Sequence, residues 1–428
     1  MTEKSLESLQ EENRRLHRAV EELSILNDLA RVISSTLSVN QIMELIVQKS
    51  VKTIGVEQGS ITLLSTEEAA PMKTLVRGAD SSYGKMPYHI GVNLTGWMIK
   101  HQKPLITNDL QTDPRFRSLK DVEINIKSIL SVPLKVKDRL IGSVNLFNKL
   151  KGSFTDADQR LLSIIGTQSA QVIENARLYE EEREKERLMR DLITAREIQM
   201  SLLPDDNPQL PGVDIAGRSI PAFEVGGDYF DFVPLEDNRL AITLGDVSGK
   251  GIPAALLMSN LQAALRSQAS SSPLPKPCIT QVNRLLHSCT SSEKFVTLFY
   301  GIFDAQKRSL HYTNAGHNPP LVIDPHGEYS TLDVGGIVIG AVPQFPYEEG
   351  IIQLNPGHIL VMYSDGITET ENEKEEQFGE ERLIRIIREH ADLKATEISE
   401  RIIDQVNSFS QESPQQDDMT LIVMKVLE

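Results

Sequence analysis

Four short apolar runs in the C-terminal half of this chain each meet an aspartate at one end. That recurrence constrains the fold more than any other feature. Leu240-Ala241-Ile242-Thr243-Leu244 leads into Gly245-Asp246-Val247-Ser248-Gly249-Lys250-Gly251. Ile359-Leu360-Val361-Met362-Tyr363 leads into Ser364-Asp365-Gly366. Gln416-Asp417-Asp418 comes just before Thr420-Leu421-Ile422-Val423-Met424, and Val225-Gly226-Gly227-Asp228 comes just before Tyr229-Phe230-Asp231. Runs of this length, rich in β-branched residues, read as buried strands. A carboxylate at a strand end beside glycine can reach an open sheet edge. Several carboxylates gathered there repel one another unless a cation holds them, and the hard ions Mg²⁺ and Mn²⁺ take such an all-oxygen set with waters completing the shell. A single Asp-Gly is an ordinary turn. By spacing alone, the four together fit a metal site and a set of structural turns equally well.

The order GGDYFD, GDVSGKG, NAGHNPP, GGIVIG, YSDGITE, QQDDMTL resembles the metal-dependent protein serine/threonine phosphatases of type 2C, and within them the bacterial sporulation-protein-E-like and RsbU-like branch. The resemblance runs from about Glu197 to Val426. It implies a β-sandwich flanked by helices, an αββα arrangement, carrying two Mn²⁺ or Mg²⁺ ions bridged by aspartate. Carried over residue by residue, Asp228, Asp246, Asp365 and Asp417 match the metal-binding acids, with Asp228, Asp246 and Asp365 at the catalytic centre. Val247 would lend its backbone carbonyl. Asp418 stands where the broader family often has Asn, so both neighbours are candidate ligands, with Asp417 favoured. Such ions polarise a phosphoryl group and lower the pKa of a water between them, so that water is the nucleophile and no covalent intermediate is needed. Cys278 and Cys289 lie outside any Cys-x₅-Arg arrangement, which argues against a cysteine phosphatase. Arg218 and Lys250 are candidate phosphate-orienting cations. His317 reads equally as an acid toward the leaving hydroxyl or as a loop-structuring residue.

The rest of the chain reads as sensor and connector. Its 428 residues allow two or three domains. A net charge of −16 argues against a nucleic-acid partner, because phosphate contacts need a basic face. Two cysteines suit a reducing cytoplasm, no apolar run approaches the ~18–20 residues of a membrane span, and Met1-Thr2-Glu3-Lys4 lacks a signal-peptide core. Leu6, Leu9, Asn13, Leu16, Val20, Leu23, Asn27 and Ala30 step alternately by three and four. With Leu6 at position a, Asn13 and Asn27 also fall at a, where asparagine fixes register and favours two parallel strands. A parallel homodimer is expected.

The segment 26–175 reads as an α/β domain: a helix near 39–54, strand-like runs at 60–64, 73–76, 104–108, 129–136 and 139–147, and a helix from Asp156 behind the cap Thr155. The final Asn148-Lys149…Phe154-x₃-Asp158 resembles a GAF sensory domain, although Gln159 replaces the Glu found in cyclic-nucleotide-binding members. The absence of cysteine here excludes covalent bilin attachment. His89 and His101 are possible haem ligands but fit structural roles better, and Trp97 fits a core position. From Tyr179 the helix continues through the charged run 180–187 to Leu203-Pro204, where proline stops it.

The expected organisation is therefore α+β. It comprises an N-terminal coiled coil (1–25), a GAF-like sensor (26–175), a helical linker (176–204) and a metal-dependent phosphatase domain (205–428). The resemblance implies a phosphorylated protein substrate, an anti-sigma-factor antagonist. The alternative is a non-catalytic docking module on a phosphatase scaffold, and the filled acid positions argue against it. A phosphodiesterase or cyclase fits less well, since no His-Asp metal pair is present and the acids come in a different order.

Overall fold

The alternation within the last strand shows how the C-terminal half is layered. In Met419–Val426, residues Met419, Leu421 and Val423 face one hydrophobic cluster, while Ile422, Met424 and Val426 face another. Successive strand residues point to opposite faces, so this strand lies in a sheet covered on both sides. We analysed a computed structural model, which describes residues 12–13, 38–64, 73–78, 91–119, 126–272, 274–290, 294–411, 413 and 415–428. Of the N-terminal heptad only Asn13 is among them, and His89 lies outside them. The chain divides into two compact units, Met1–Arg187 and Leu188–Glu428.

In the first unit the strands are β1 (Val56–Leu63), β2 (Lys73–Gly78), β3 (Leu105–Thr107), β4 (Ile129–Val136) and β5 (Arg139–Lys149), forming an antiparallel sheet in the order β2-β1-β5-β4-β3. Ile61, Val144, Leu146, Leu130 and Val132 pack with the helix Val39–Ile54 and with Leu162, Ile165 and Ile173 of the helix that starts at Asp156. On the other face the register brings Ser131, Asn145 and Ser60 into a buried row: the Ser131 hydroxyl donates to Asn145 Oδ1 (2.5 Å) and Asn145 Nδ2 donates to the Ser60 hydroxyl (3.3 Å). Ser38 and Gln41 form a capping box on the first helix, and Gly55, at φ 72°, ends it.

The Asn-Lys…Phe-x₃-Asp signature is structural. Asn148 bridges Lys127 N and Glu57, while Lys149 Nζ ties Ile54 O (2.8 Å) to Asp158 Oδ1 (2.7 Å). His101 is exposed and lies against the Trp97 ring, which is half-buried beside Leu105 and Phe116. A helix at Gly91–His101, absent from the sequence reading, carries both.

The helix Asp156–Met200 runs through the charged segment and crosses the boundary between the units. It ends three residues short of Leu203, where Leu202 N and Leu203 N bond the carbonyls of Gln199 and Met200 in a tightened last turn. No helix among the described residues is long and apolar enough to cross a membrane.

The second unit has two sheets. One contains β7 (Tyr229–Leu235), β8 (Arg239–Val247), β9 (Val296–Asp304), β10 (Ser309–Ala315) and β13 (Gly335–Gly336), with β14 (Gly350–Gln353) also on β10. The other runs β12 (Tyr329–Thr331), β11 (Leu321–Ile323), β15 (Ile359–Tyr363), β16 (Met419–Val426) and β6 (Val213–Ile220). Between the sheets, Ile422, Met424, Leu360 and Met362 meet Leu244 and Phe299 in one core. Helices Ile252–Ala269 and Pro275–Cys289 cover the first sheet, and helices Glu380–Glu389 and Ala395–Ser410 cover the second. The result is an αββα sandwich.

Candidate metal centre

The strand pairings bring the acids to one end of this sandwich. β7 and β8 are antiparallel, with Tyr229 opposite Gly245, so Asp228 before β7 and Asp246 near the end of β8 share an edge. β15 and β16 are likewise antiparallel, with Tyr363 opposite Leu421, so Asp365 after β15 joins Asp417 and Asp418 before β16. One side chain ties the two pairs together. Asp418 Oδ2 accepts from Gly227 N (2.7 Å) and Asp228 N (3.3 Å), and its Oδ1 accepts from Ala222 N (2.8 Å).

Two glycines make this closeness possible. A Cβ at Gly226 would lie 2.4 Å from Asp418 Oδ2, and one at Gly366 would lie 2.1 Å from Asp418 O. Ser364 completes the joint, its hydroxyl donating to Asp418 O (3.1 Å) and accepting from Thr420 N (2.9 Å).

Asp417 and Asp418 are therefore separated by their partners. Both oxygens of Asp418 are committed to backbone amides of the 222–228 loop. Asp417 is half-buried, pairs with Lys250 (3.0 Å) and shares the neighbourhood of Asp365 and Asp246. Lys250 Nζ also donates to Gln416 O (2.6 Å). Of the two cations expected at the site, Lys250 is there, while Arg218 lines a separate groove with Ser201, Leu203 and Phe230. Beside the acids lies a cavity of about 240 Å³ whose lining includes Lys250, Glu369, Glu371, Gln415 and Asp417.

The electrostatics show a shortage of positive charge. Burial, with Asp246 and Asp418 alongside, holds the Asp228 carboxyl well above the usual carboxylate range. Burial and the facing Asp365, Asp417 and Asp418 push Asp246 up to about 7, against the pull of Lys250. Burial and Asp417 raise Asp365 as well. A bound cation reverses this logic by favouring the ionised form of every acid facing it.

The residues fit such an ion. Asp228 Oδ2 is buried without a hydrogen-bond partner. Gly227 leaves open a space in which a Cβ would stand 3.0 Å from Val247 O and 3.5 Å from Asp246 Oδ1. Asp228, Asp246, Asp365, Asp417 and the Val247 carbonyl supply only oxygen, the donor type of Mg²⁺ and Mn²⁺. As they stand the acids do not close on one point: among the described residues no three His, Cys, Asp or Glu side chains are grouped tightly enough to hold an ion. An ion that keeps several waters needs only one or two carboxylates directly.

Two residues of the same motifs are tied into the surrounding frame. Asp231 is wholly buried on β7, takes two hydrogen bonds from Arg266 (2.7 and 3.0 Å) and one from the Tyr229 hydroxyl (2.7 Å), and so fastens helix Ile252–Ala269 to the sheet. His317 is buried, with Nδ1 on the Thr297 hydroxyl (2.8 Å) and its backbone N–H on Asn314 Oδ1 (2.8 Å). Burial pushes its imidazole down to about 4, and its Nε2 is buried without a hydrogen-bond partner. Gln199, in the last turn of the helix Asp156–Met200, is buried against Gly226. No signal in the sequence separates it from the other polar residues of that helix.

Sandwich, acid edge and sensor sheet together define a phosphatase of the 2C type joined to a GAF domain. The chain belongs to the SpoIIE-type branch of these serine/threonine phosphatases. Residues 236–427 match the family Stage II sporulation protein E (SpoIIE), and residues 36–174 match the GAF domain family. The phosphoserine phosphatase RsbU of Bacillus subtilis (strain 168) is 32% identical over 234 residues, spanning 54% of this chain and 68% of RsbU. Protein IcfG of Synechocystis sp. is 30% identical over 261 residues, 55% of this chain and 41% of that protein. Among solved structures, the SiaA-PP2C domain of Pseudomonas aeruginosa shares the fold, with a TM-score of 0.51 at 24% identity over 56% of this chain and 98% of that one.

Proposed function

We propose that this chain is a divalent-metal-dependent phosphatase that hydrolyses phosphoserine or phosphothreonine on a partner protein. In this reading the GAF domain (26–175) regulates the phosphatase domain (205–428) through the helical linker (176–204). The observation that carries it is the convergence of Asp228, Asp246, Asp365 and Asp417 at one sandwich edge, with an unpartnered buried oxygen on Asp228.

Asp228, Asp246, Asp365, Asp417 and the Val247 carbonyl would hold two Mn²⁺ or Mg²⁺ ions. When bound, such ions lower the pKa of water and neutralise phosphoryl charge. The chain's own residues supply the frame. Asp418 fixes the 222–228 loop by three amide hydrogen bonds, and Ser364 fixes Asp418 in turn. Lys250 stands beside Asp417, where it can meet a phosphate oxygen. The adjoining cavity offers room for the chain flanking the phosphorylated residue.

The resemblance of the catalytic motifs to the RsbU-like branch is the basis for a phosphorylated anti-sigma-factor antagonist as substrate, the heptad with Asn13 and Asn27 for a parallel homodimer, and the low cysteine count for a reducing cytoplasm. The test is hydrolysis of a phosphoserine peptide by the full-length protein, before and after chelation with EDTA and on return of Mn²⁺. Activity that disappears and returns supports the reading. Activity indifferent to EDTA, or none at any Mn²⁺ concentration, contradicts it.

A further inference from the structure

The 222–228 loop carries Asp228 but belongs to no strand, since β7 begins at Tyr229. Its buried backbone groups must find partners elsewhere, because a buried amide or carbonyl left unpaired is costly. Asp418 serves Ala222, Gly227 and Asp228. Gly226 is served by a different element. Gln199, 7% exposed on the last turn of the helix Asp156–Met200, donates from Nε2 to Gly226 O (2.7 Å) and accepts at Oε1 from Gly226 N (3.0 Å). The primary amide satisfies both polar groups of Gly226 as a neighbouring strand would. The next two residues are Gly227, whose missing side chain leaves the space in front of Val247 O and Asp246, and Asp228 itself.

We propose that Gln199 is a positioning residue for the metal centre: through Gly226 it fixes the loop that aims Asp228, so that divalent-ion affinity depends on the last turn of the linker helix. The inference rests on the metal-centre reading above. Without Gln199, both polar groups of Gly226 lose their partner in a buried place. The loop relieves that by turning toward water, and Asp228 turns with it. A movement of the helix end reaches Asp228 by the same two bonds. Losing a partner that orients a ligand typically weakens metal binding by about 10–100-fold.

The experiment measures Mn²⁺ binding to the full-length protein by calorimetry, and in parallel the Mn²⁺ concentration giving half-maximal hydrolysis of p-nitrophenyl phosphate. The variants are Gln199→Ala, Gln199→Met, Gln262→Ala and Asp246→Ala. Gln199→Met keeps the side-chain length and carries the test should Gln199→Ala not fold. Gln262 Nε2 bonds Leu202 O (3.5 Å), so it anchors the same helix end without touching the loop. Both Gln199 variants are expected to raise the Mn²⁺ Kd and the half-maximal concentration roughly tenfold or more, with kcat at saturating Mn²⁺ close to wild type. Gln262→Ala is expected to leave Mn²⁺ affinity unchanged. Folded Gln199 variants with wild-type affinity, or an equal loss in Gln262→Ala, overturn the inference. A wild-type protein that binds no Mn²⁺, or an Asp246→Ala variant that binds like wild type, overturns the metal-centre reading instead.

Discussion

Replacing Arg266 with alanine should unfold the phosphatase unit more easily without touching its metal chemistry. Asp231 is fully buried, and Arg266 gives it two of its four hydrogen bonds; Tyr229 Oη and Phe232 N give the others. Removing one partner of a buried pair costs about 3–5 kcal/mol, because the remaining charge stays in a poor solvent. The Arg266 side chain is half exposed, so water replaces part of it, and about 3 kcal/mol is the better figure. For a unit of this size each kcal/mol moves Tm by about 2–4 °C, giving a fall of roughly 6–12 °C. Asp231→Asn should cost less, about 1–2 kcal/mol, since it removes the buried charge itself and strands only a half-exposed guanidinium. The assay is calorimetry of the full-length protein, following the transition that tracks loss of phosphatase activity. Mn²⁺ affinity is measured alongside and should stay at its wild-type value. The reasoning fails if Arg266→Ala shifts Tm by less than 2 °C, if Asp231→Asn is the more damaging change, or if either one abolishes Mn²⁺ binding in the folded protein.

Gly366→Ala places a methyl group against the Asp418 carbonyl, so it should lower both Tm and phosphatase activity, the activity by at least tenfold; wild-type turnover would show that the 365–366 and 417–418 segments can part freely. Inserting one or two residues after Glu184 rotates the downstream helix by about 100° each, whereas seven restore the heptad phase. The short insertions should abolish or invert regulation and the long one should keep it; equal behaviour of all three would make the helix a tether. Light scattering should find a dimer at micromolar concentration, and Asn13→Leu with Asn27→Leu should raise its stability while loosening its oligomeric state. A monomer would remove the basis for a paired linker.

Periodicity made much of the frame legible from the sequence. The helix Val39–Ile54 and the strand Ile129–Val136 stand where the apolar pattern puts them, because one face of each is buried against a single core. The acids were legible for a related reason: an aspartate that interrupts an apolar run beside glycine marks a strand end. What stayed hidden depends on partners far away in sequence. Asp417 and Asp418 are the same residue type side by side, and they are told apart by partners far off in sequence, Lys250 for the first and the amides of Ala222, Gly227 and Asp228 for the second. Asp231, three residues past Asp228, is taken by Arg266, 35 positions on. The helix Gly91–His101 escaped notice because Gly96 and Thr95 are poor helix formers. Gln199 is one polar residue among many on a largely charged helix, and its use appears only once Gly226 folds against it.

The central claim is that five oxygen-bearing residues of the sandwich edge hold two divalent ions. Counting bound Mn²⁺ per chain by electron paramagnetic resonance tests it most directly, in the wild-type protein and in Asp246→Ala and Asp365→Ala. Two ions are expected on the wild type, at least one fewer on each folded variant, and no hydrolysis of phosphoserine peptide by either variant at saturating Mn²⁺. No bound ion on the wild type, or a full complement with full activity in either variant, would contradict it.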